Sequence, residues 1–350
     1  MRPTHPLLLS VAVFLPAFVA AGEVESYCAL TAAQGQVQSA QLSAPEAFAS
    51  LGDPATDKRN MVLGVRKSFS RARQGRRVTE LAEAQCAAYR SQQRLGLRLA
   101  SLELVTEQRG ITHLIPPLKG ALAAAESQLR QERLLLARRQ ATLQDVHTAF
   151  DTRDRLQEKL ARAEQRQSYL SVHAPVEEAP LLPDAERAIA DQARVTELGA
   201  LLQADAGWDV SVAVGMRRGL SDGAQSAFAS VALSRSFGEG ASRASAQQTG
   251  TLAARWLAEQ QEGPLQKLQR TRDAVAGAYA AGRVIHDGLL RRRGALRETL
   301  TTVEGSDTAT AARLARGLRV ELLSTDAELA ESVARQDYLV SWLALNGGQQ

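Results

Sequence analysis

Residues 208–237 alternate apolar and polar side chains, in a chain that otherwise repeats mostly every seven residues. Trp208, Val210, Val212, Val214 and Met216 share one face of an extended segment; Asp209, Ser211, Ala213, Gly215 and Arg217 share the other. After the turn residues Leu220-Ser221-Asp222-Gly223 the alternation resumes, with Val231, Leu233 and Phe237 opposite Ser230, Ser234 and Ser236. Strands of about ten residues, apolar on one side and small or polar on the other, suit a barrel with lipid outside and water inside.

The N-terminus bears on how such strands would reach a membrane. Arg2 precedes an apolar run, Leu7 to Ala21, that ends in Val19-Ala20-Ala21 before Gly22. A basic start, a short apolar run and small residues at the cut describe a secretory signal peptide over residues 1–21. Pro16 interrupts the run, which is also short for a spanning helix. Cys28 lacks the preceding leucine and small residues of a lipoprotein signal. No other stretch is apolar enough to span as a helix, so membrane residence must come from strands.

Only 4% of the residues are aromatic, too few for a large globular core. Beyond the signal, Trp208, Phe48, Phe69, Phe228 and Phe237 all fall in proposed strands, leaving Phe150 as the other phenylalanine. Aromatic side chains near strand ends are expected of interfacial girdles. A plain strand preference of phenylalanine accounts for any one of them equally well.

Two matches point to an internal duplication. Asn60–Phe69 aligns with Phe228–Phe237, and Arg166-Gln-Ser-Tyr-Leu170 with Arg335-Gln-Asp-Tyr-Leu339. Both lie at an offset of about 168 residues and in the same order. The expected first repeat covers 22–183, with strands about 46–51 and 59–70 and helices about 72–109 and 118–170. The second covers 184–350, with strands about 208–217 and 225–237 and helices about 240–281 and 288–345. In the first hairpin Met61, Leu63, Val65 and Phe69 then face outward, while Gly64, Arg66 and Ser68 point inward. Lys67 falls on the apolar side and must snorkel to an interface.

Between the hairpins, Leu81, Ala88, Leu95 and Leu102 recur every seven residues, as do Leu122, Leu129, Leu136, Leu143 and Phe150. Leu322, Leu329 and Leu343 continue the pattern near the end. Such a repeat specifies a left-handed coiled coil with neighbours along its length. Helix reversals are expected at Gly110-Ile111-Thr112, followed by Pro116-Pro117, and at Gly282-Arg283-Val284, followed by Asp287-Gly288. Gly96 and Gly263-Pro264 mark expected kinks or restarts. The proline-rich segment Val172–Asp184 interrupts the returning helix.

Cys28 lies about 17 residues before the first strand region and Cys86 about 16 after it, so both would sit at matching height on adjacent antiparallel helices. In an oxidising compartment that favours a Cys28–Cys86 disulfide over free thiols. Two cysteines with no nearby histidine supply too few ligands for a metal. No phosphate-binding loop or nucleophile elbow occurs, and the +4 charge is spread among alternating acids and bases. The chain therefore reads as neither an enzyme nor a nucleic-acid binder, and no cofactor is expected.

Four strands cannot close a spanning barrel, since the smallest such barrels have eight. Open edges facing lipid would cost several kcal/mol per unpaired backbone group. Several copies must share one barrel, and three give twelve strands above a helical tube. The expected fold is mainly α with a small β part. It combines two-repeat coiled-coil helical hairpins with four transmembrane strands per protomer, and the trimer forms a 12-stranded barrel on an α-helical tube.

With these features the chain resembles the outer-membrane efflux protein family, the TolC-like outer-membrane factors. The segment Tyr279-Ala-Ala-Gly282-Arg-Val-Ile-His-Asp287-Gly-Leu289-Leu290 is similar to the family's tyrosine–glycine tip followed by an aspartate and leucines. Arg109-Gly110 keeps the glycine without the tyrosine. The resemblance implies a homotrimeric exit duct for efflux or type I secretion, in the outer membrane with its tube in the periplasm. Implied partners are a periplasmic adaptor, an inner-membrane pump or secretion ATPase, and outer-membrane lipid. Gly110, Ile111, Thr112, Gly282, Arg283 and Val284 become tip contacts for the adaptor, or else simple reversal residues. Asp287 becomes a carboxylate ring at the tube mouth, or else ordinary turn chemistry before Gly288. The same residues also fit a periplasmic coiled-coil scaffold or adaptor whose strands form a small soluble hairpin domain.

Overall fold

The computed structural model describes residues 16–53, 58–173, 179–204, 208–220, 223–235, 239–260 and 262–347. Most of the signal segment therefore lies outside the described residues, as do Phe237 and the middle of the Val172–Asp184 link. The element order is α1 (Pro16–Ser43), β1 (Glu46–Asp53), β2 (Lys58–Ser68), α2 (Phe69–Ala137), α3 (Leu143–His173) and α4 (Leu182–Ala204). It continues with β3 (Trp208–Gly219), β4 (Gln225–Arg235), α5 (Glu239–Glu259), α6 (Pro264–Glu304) and α7 (Ala309–Asn346). The chain divides into two compact units, one made of residues up to Leu95 with 183–266, the other of 96–182 with 267–350.

In the first unit the four strands form one antiparallel sheet in the order β1-β2-β3-β4. A disulfide joins Cys28 on α1 to Cys86 on α2, with the Cα atoms 4.8 Å apart. Beside it the rings of Tyr27 and Tyr89 lie 4.2 Å apart, and Tyr89 donates a hydrogen bond to Glu23. Alanine and leucine bury one side of α4, from Ala185 and Ala188 through Leu198 to Leu201, and Ala246 of α5 joins the end of that row. The α5–α6 break falls at the expected Gly263-Pro264. Proline opens α6, where its missing N–H costs nothing. At Gly96, by contrast, α2 runs on without a break.

The second unit is a set of long helices around one apolar seam. Ile111, Leu114, Ile115, Leu118, Ala121 and Ala125 of α2 pack with Leu156, Leu160, Ala163 and Leu170 of α3 and with Val320 and Ala327 of α7. The first expected reversal is corrected here. Gly110, Ile111 and Thr112 lie inside α2, which continues through Pro116 and Pro117 to Ala137. Each interior proline costs about 3 kcal/mol. Four large residues beside them, Ile111, Leu114, Ile115 and Leu118, are almost fully buried, worth roughly 1.5–3 kcal/mol each. Thr112 and His113, whose carbonyls lose their donors to the prolines, are exposed to water.

The actual turn is at 138–142. Arg139 adopts a left-handed φ of 59°, its N–H donates to Leu136 O and that of Gln140 to Leu135 O. This is a Schellman closure with arginine where glycine is usual. Thr142 then caps α3: its Oγ1 accepts from the Asp145 N–H at 3.2 Å, and its own N–H donates to Asp145 Oδ2 at 2.8 Å. The run Leu122–Phe150 is split by this turn, which leaves Leu143 76% exposed and removes it from the seam.

The second expected reversal is corrected in the same way. Gly282, Arg283, Val284 and Asp287 all lie within α6, which ends at Glu304. The turn follows at Gly305–Thr308, where Thr308 caps α7 by accepting from the Ala311 N–H. Glycines at 277, 282, 288 and 294 lower helix propensity by about 1 kcal/mol each without ending the helix.

Candidate membrane-facing sheet

The sheet register sorts the strand residues into two faces. On one, Ala47, Ala49 and Leu51 lie beside Val65, Leu63 and Met61; these lie beside Val214, Met216 and Arg218. Val210, Val212 and Val214 in turn face Leu233, Val231 and Ala229. Met61, Leu63, Val65, Val210, Val214, Val231 and Leu233 are all exposed, Val231 and Leu233 at 73% and 65%. An apolar surface, interrupted by Arg218 and Lys67, thus crosses four strands and is largely exposed among the described residues. Val212 shares the face and is half-buried. Lys67 sits on it too, opposite Val212 and exposed.

One expected member of this face differs. Phe69 is the first residue of α2, not the last of β2. Trp208 does open β3, paired with Arg235; its side chain and all of Phe237 fall outside the described residues.

The opposite face is polar and built in rows. At its helix end Ser68 and Ser70 both donate to Asp209 Oδ1. Glu46 pairs with Arg66 at 2.8 Å and also with Arg71. In the middle, Phe48, Gly64, Gly215 and Phe228 form a single row across all four strands. The two rings, expected in girdles at strand ends, are instead mid-sheet on the polar side. The alternation alone could have placed them there, since Phe48 shares its parity with Glu46 and Ser50 on β1, and Phe228 with Ser226 and Ser230 on β4.

In the second unit, the residues expected at the tips lie along the length of α2 and α6. A Cβ on Gly110 would lie 2.8 Å from Arg335 Cγ, so α7 crosses α2 closely there. The carbonyl of Gly282 accepts from Gln336 Nε2 at 2.9 Å. Arg283, Val284 and Asp287 are exposed along α6, and Asp287 is far from either turn. Arg292 and Arg293 pair with Glu321 and Asp326 of α7 at 2.9 and 2.8 Å.

A feature not expected from the heptads is Glu132. It occupies the seam position seven residues beyond Ala125, yet it is only 1% exposed. Arg316 meets it at 2.6 Å and Arg313 at 3.4 Å; Arg313 also reaches Asp145 at 2.8 Å. Among the described residues no helix is long and apolar enough to cross a membrane, and no group of three or more histidine, cysteine, aspartate or glutamate side chains could hold a metal ion.

This combination of a small antiparallel sheet with an exposed apolar face and long antiparallel helices is similar in fold to solved bacterial membrane proteins. A membrane protein from Pseudomonas aeruginosa is similar over 94% of this chain and 87% of its own, at 14% identity and a TM-score of 0.56. The outer membrane protein VceC of Vibrio cholerae is similar over 94% and 93%, at 14% identity and 0.54. CusC, in which conformational changes accompany folding and transmembrane channel formation, is similar over 95% and 89%, at 13% identity and 0.51. At such identities the likeness is one of fold. No family model and no curated protein matches the sequence.

Proposed function

We propose that this chain is an outer-membrane efflux protein, three copies of which form the exit duct of an efflux or type I secretion system. The carrying observation is the sheet: its exposed apolar face runs from Leu51 to Leu233, while β1 and β4 each pair on one side only among the described residues. Lipid is the solvent such a face requires, and lipid tolerates no open strand edge. Pairing β4 of one copy with β1 of the next removes every edge, and three copies supply twelve strands. The polar rows then line a water-filled lumen.

The helices carry the duct into the periplasm. Their turns, at 138–142 and 305–308, are the ends that meet a periplasmic adaptor, in place of the Gly110 and Gly282 regions. The adaptor in turn couples the duct to an inner-membrane pump or a secretion ATPase. No reaction is catalysed; cargo moves down a passage opened by its partners. Each half carries a strand pair followed by long helices, β1–β2 before α2 and α3, and β3–β4 before α5, α6 and α7, an order that supports descent from a duplicated unit.

Fractionation of cells expressing the full chain, followed by native mass measurement in detergent, tests this. The expected result is recovery with the outer membrane, extraction only by detergent, and a mass of three chains. A stable monomer released with the soluble periplasm would contradict it.

A further inference from the structure

The helices of the first unit follow the order of its strands. A Cβ on Gly35 would lie 2.7 Å from that of Ala82, so α1 lies close against α2. Gln92 of α2 donates to Gln192 of α4 at 3.3 Å, and a Cβ on Gly250 of α5 would lie 3.0 Å from that of Glu197 of α4. The helix layer therefore runs α1-α2-α4-α5, alongside β1-β2-β3-β4 in the sheet. Because α1 leads into β1 and α5 follows β4, the two outer helices continue the two open edges of the sheet.

Both outer helices turn large apolar side chains away from their own copy. Among its described residues α1 buries only Thr31 and Gly35, whereas Leu30 and Val37 are each more than half exposed. Seven residues apart, these two share one face of the helix. Among its described residues α5 buries only Ala246, whereas Leu252 and Trp256, one turn apart, are each more than half exposed. Around Leu30 and Val37 the exposed side chains are small, Ala29, Ala33 and Ala40, which leaves room for a bulkier one. The Cys28–Cys86 bridge and the Tyr89–Glu23 hydrogen bond hold α1 against α2 and so fix which of its faces points outward. Leu30 stands 13 residues before the end of α1 and Leu252 stands 13 residues after the start of α5. Each is thus about 20 Å along its helix from the sheet.

We propose that α5 of one copy docks on α1 of the next, with Leu252 and Trp256 seated on the face that carries Leu30 and Val37. The inference rests on the duct reading, which pairs β4 with β1 of the next copy, and it carries that junction down from the sheet into the helices. The occupant is a second copy because the same strand pairing brings α5 and α1 side by side at equal depth. A ring of three repeats the contact three times and covers both apolar stripes, which a solitary copy would leave in water. Tryptophan against small side chains is the kind of aromatic anchor on which interfaces rely.

Photocrosslinking of the full-length protein in detergent tests the contact, with p-benzoyl-L-phenylalanine placed at Trp256 and, separately, at Leu252. The expected result is a set of interchain adducts ending at three chains, with crosslinked peptides that map to α1 between Glu23 and Ala40. A Leu252→Glu/Trp256→Glu double variant alters only side chains that are exposed in a single copy. It is expected to dissociate on dilution at a protein concentration about tenfold higher than wild type, or more. Trp256→Phe, which keeps an aromatic anchor, is expected to stay close to wild type. Adducts that map elsewhere, or a glutamate variant as resistant to dilution as wild type, would overturn the contact while leaving the duct intact. A wild-type mass of one chain would overturn the duct reading and this inference with it.

Discussion

Arg335 of α7 lies across Gly110 of α2 so closely that any side chain at 110 must displace it. Arg335 also pairs with Glu331 on its own helix at 2.6 Å. Gly110 is thus a packing glycine inside a continuous helix, and its substitution should behave accordingly. Gly110→Ala is expected to change stability by less than about 1 kcal/mol, because gained helix propensity offsets the shift of a flexible arginine. Gly110→Leu overpacks the contact and should cost about 1–3 kcal/mol. Denaturant unfolding in detergent measures both. A large loss already at alanine would point back to a turn at this position.

The buried charge on the seam makes a second prediction. Glu132→Ala strands Arg316 and part of the Arg313 interaction in a closely packed place. Because both arginines are about one-fifth exposed, the expected loss is at the lower end for broken buried pairs, about 3 kcal/mol. A Glu132→Leu/Arg316→Leu double variant should recover most of it, since an apolar pair continues the row of Ile111, Leu118 and Ala125. If the double variant is as unstable as the single one, the seam does not run through this position.

Glu107 gives a pH dependence of known sign. Arg166 donates two hydrogen bonds to it, at 2.8 and 2.6 Å, and these hold its carboxyl below the usual range against the opposing effect of partial burial. A lowered folded value means the interaction stabilises above the unfolded pKa of about 4.3 and is lost as pH falls through the lower folded one. The stability gap between wild type and Glu107→Gln should therefore be full at neutral pH and close in acid below that range. A gap that stays constant with pH would show that the carboxylate charge plays no part.

The Cys28–Cys86 bridge closes a loop between α1 and α2, its ends 58 residues apart in sequence. A Cys28→Ser/Cys86→Ser double variant is expected to lose about 2–4 kcal/mol. Reduction of the wild type should reproduce that loss and slow its electrophoretic migration. Equal stability of the two forms would mean that α1 is held by its other contacts, such as the Tyr27–Tyr89 stack.

The strands were readable from sequence because side chains with a period of two declare their own faces, and β3 and β4 follow the alternation of Val210–Met216 and Val231–Leu233 closely. The helix reversals were not. Gly110, Pro116 and Pro117 look like breakers, yet burial of Ile111, Leu114, Ile115 and Leu118 outweighs them, and local propensity cannot register a neighbour's packing. The true turn carries no glycine: Arg139 takes the left-handed position. One signal was present all the same. Thr142 and Asp145 have capping-box spacing, and Gly305 with Thr308 repeats the stop-and-start chemistry before α7. Glu132 is not legible in the heptad pattern, because that pattern is one of apolar residues and here a paired charge fills the seam position.

Everything proposed for the sheet depends on β4 of one copy pairing with β1 of the next. Cysteine introduced at Ala229 on β4 and, in turn, at Ala47, Ala49 or Leu51 on β1 places thiols on the same apolar face at the two open edges. Oxidation of the purified protein in detergent is predicted to yield an interchain ladder that ends at three chains for at least one pair. Monomers at every pair, or a ladder that runs past three, would contradict the shared barrel.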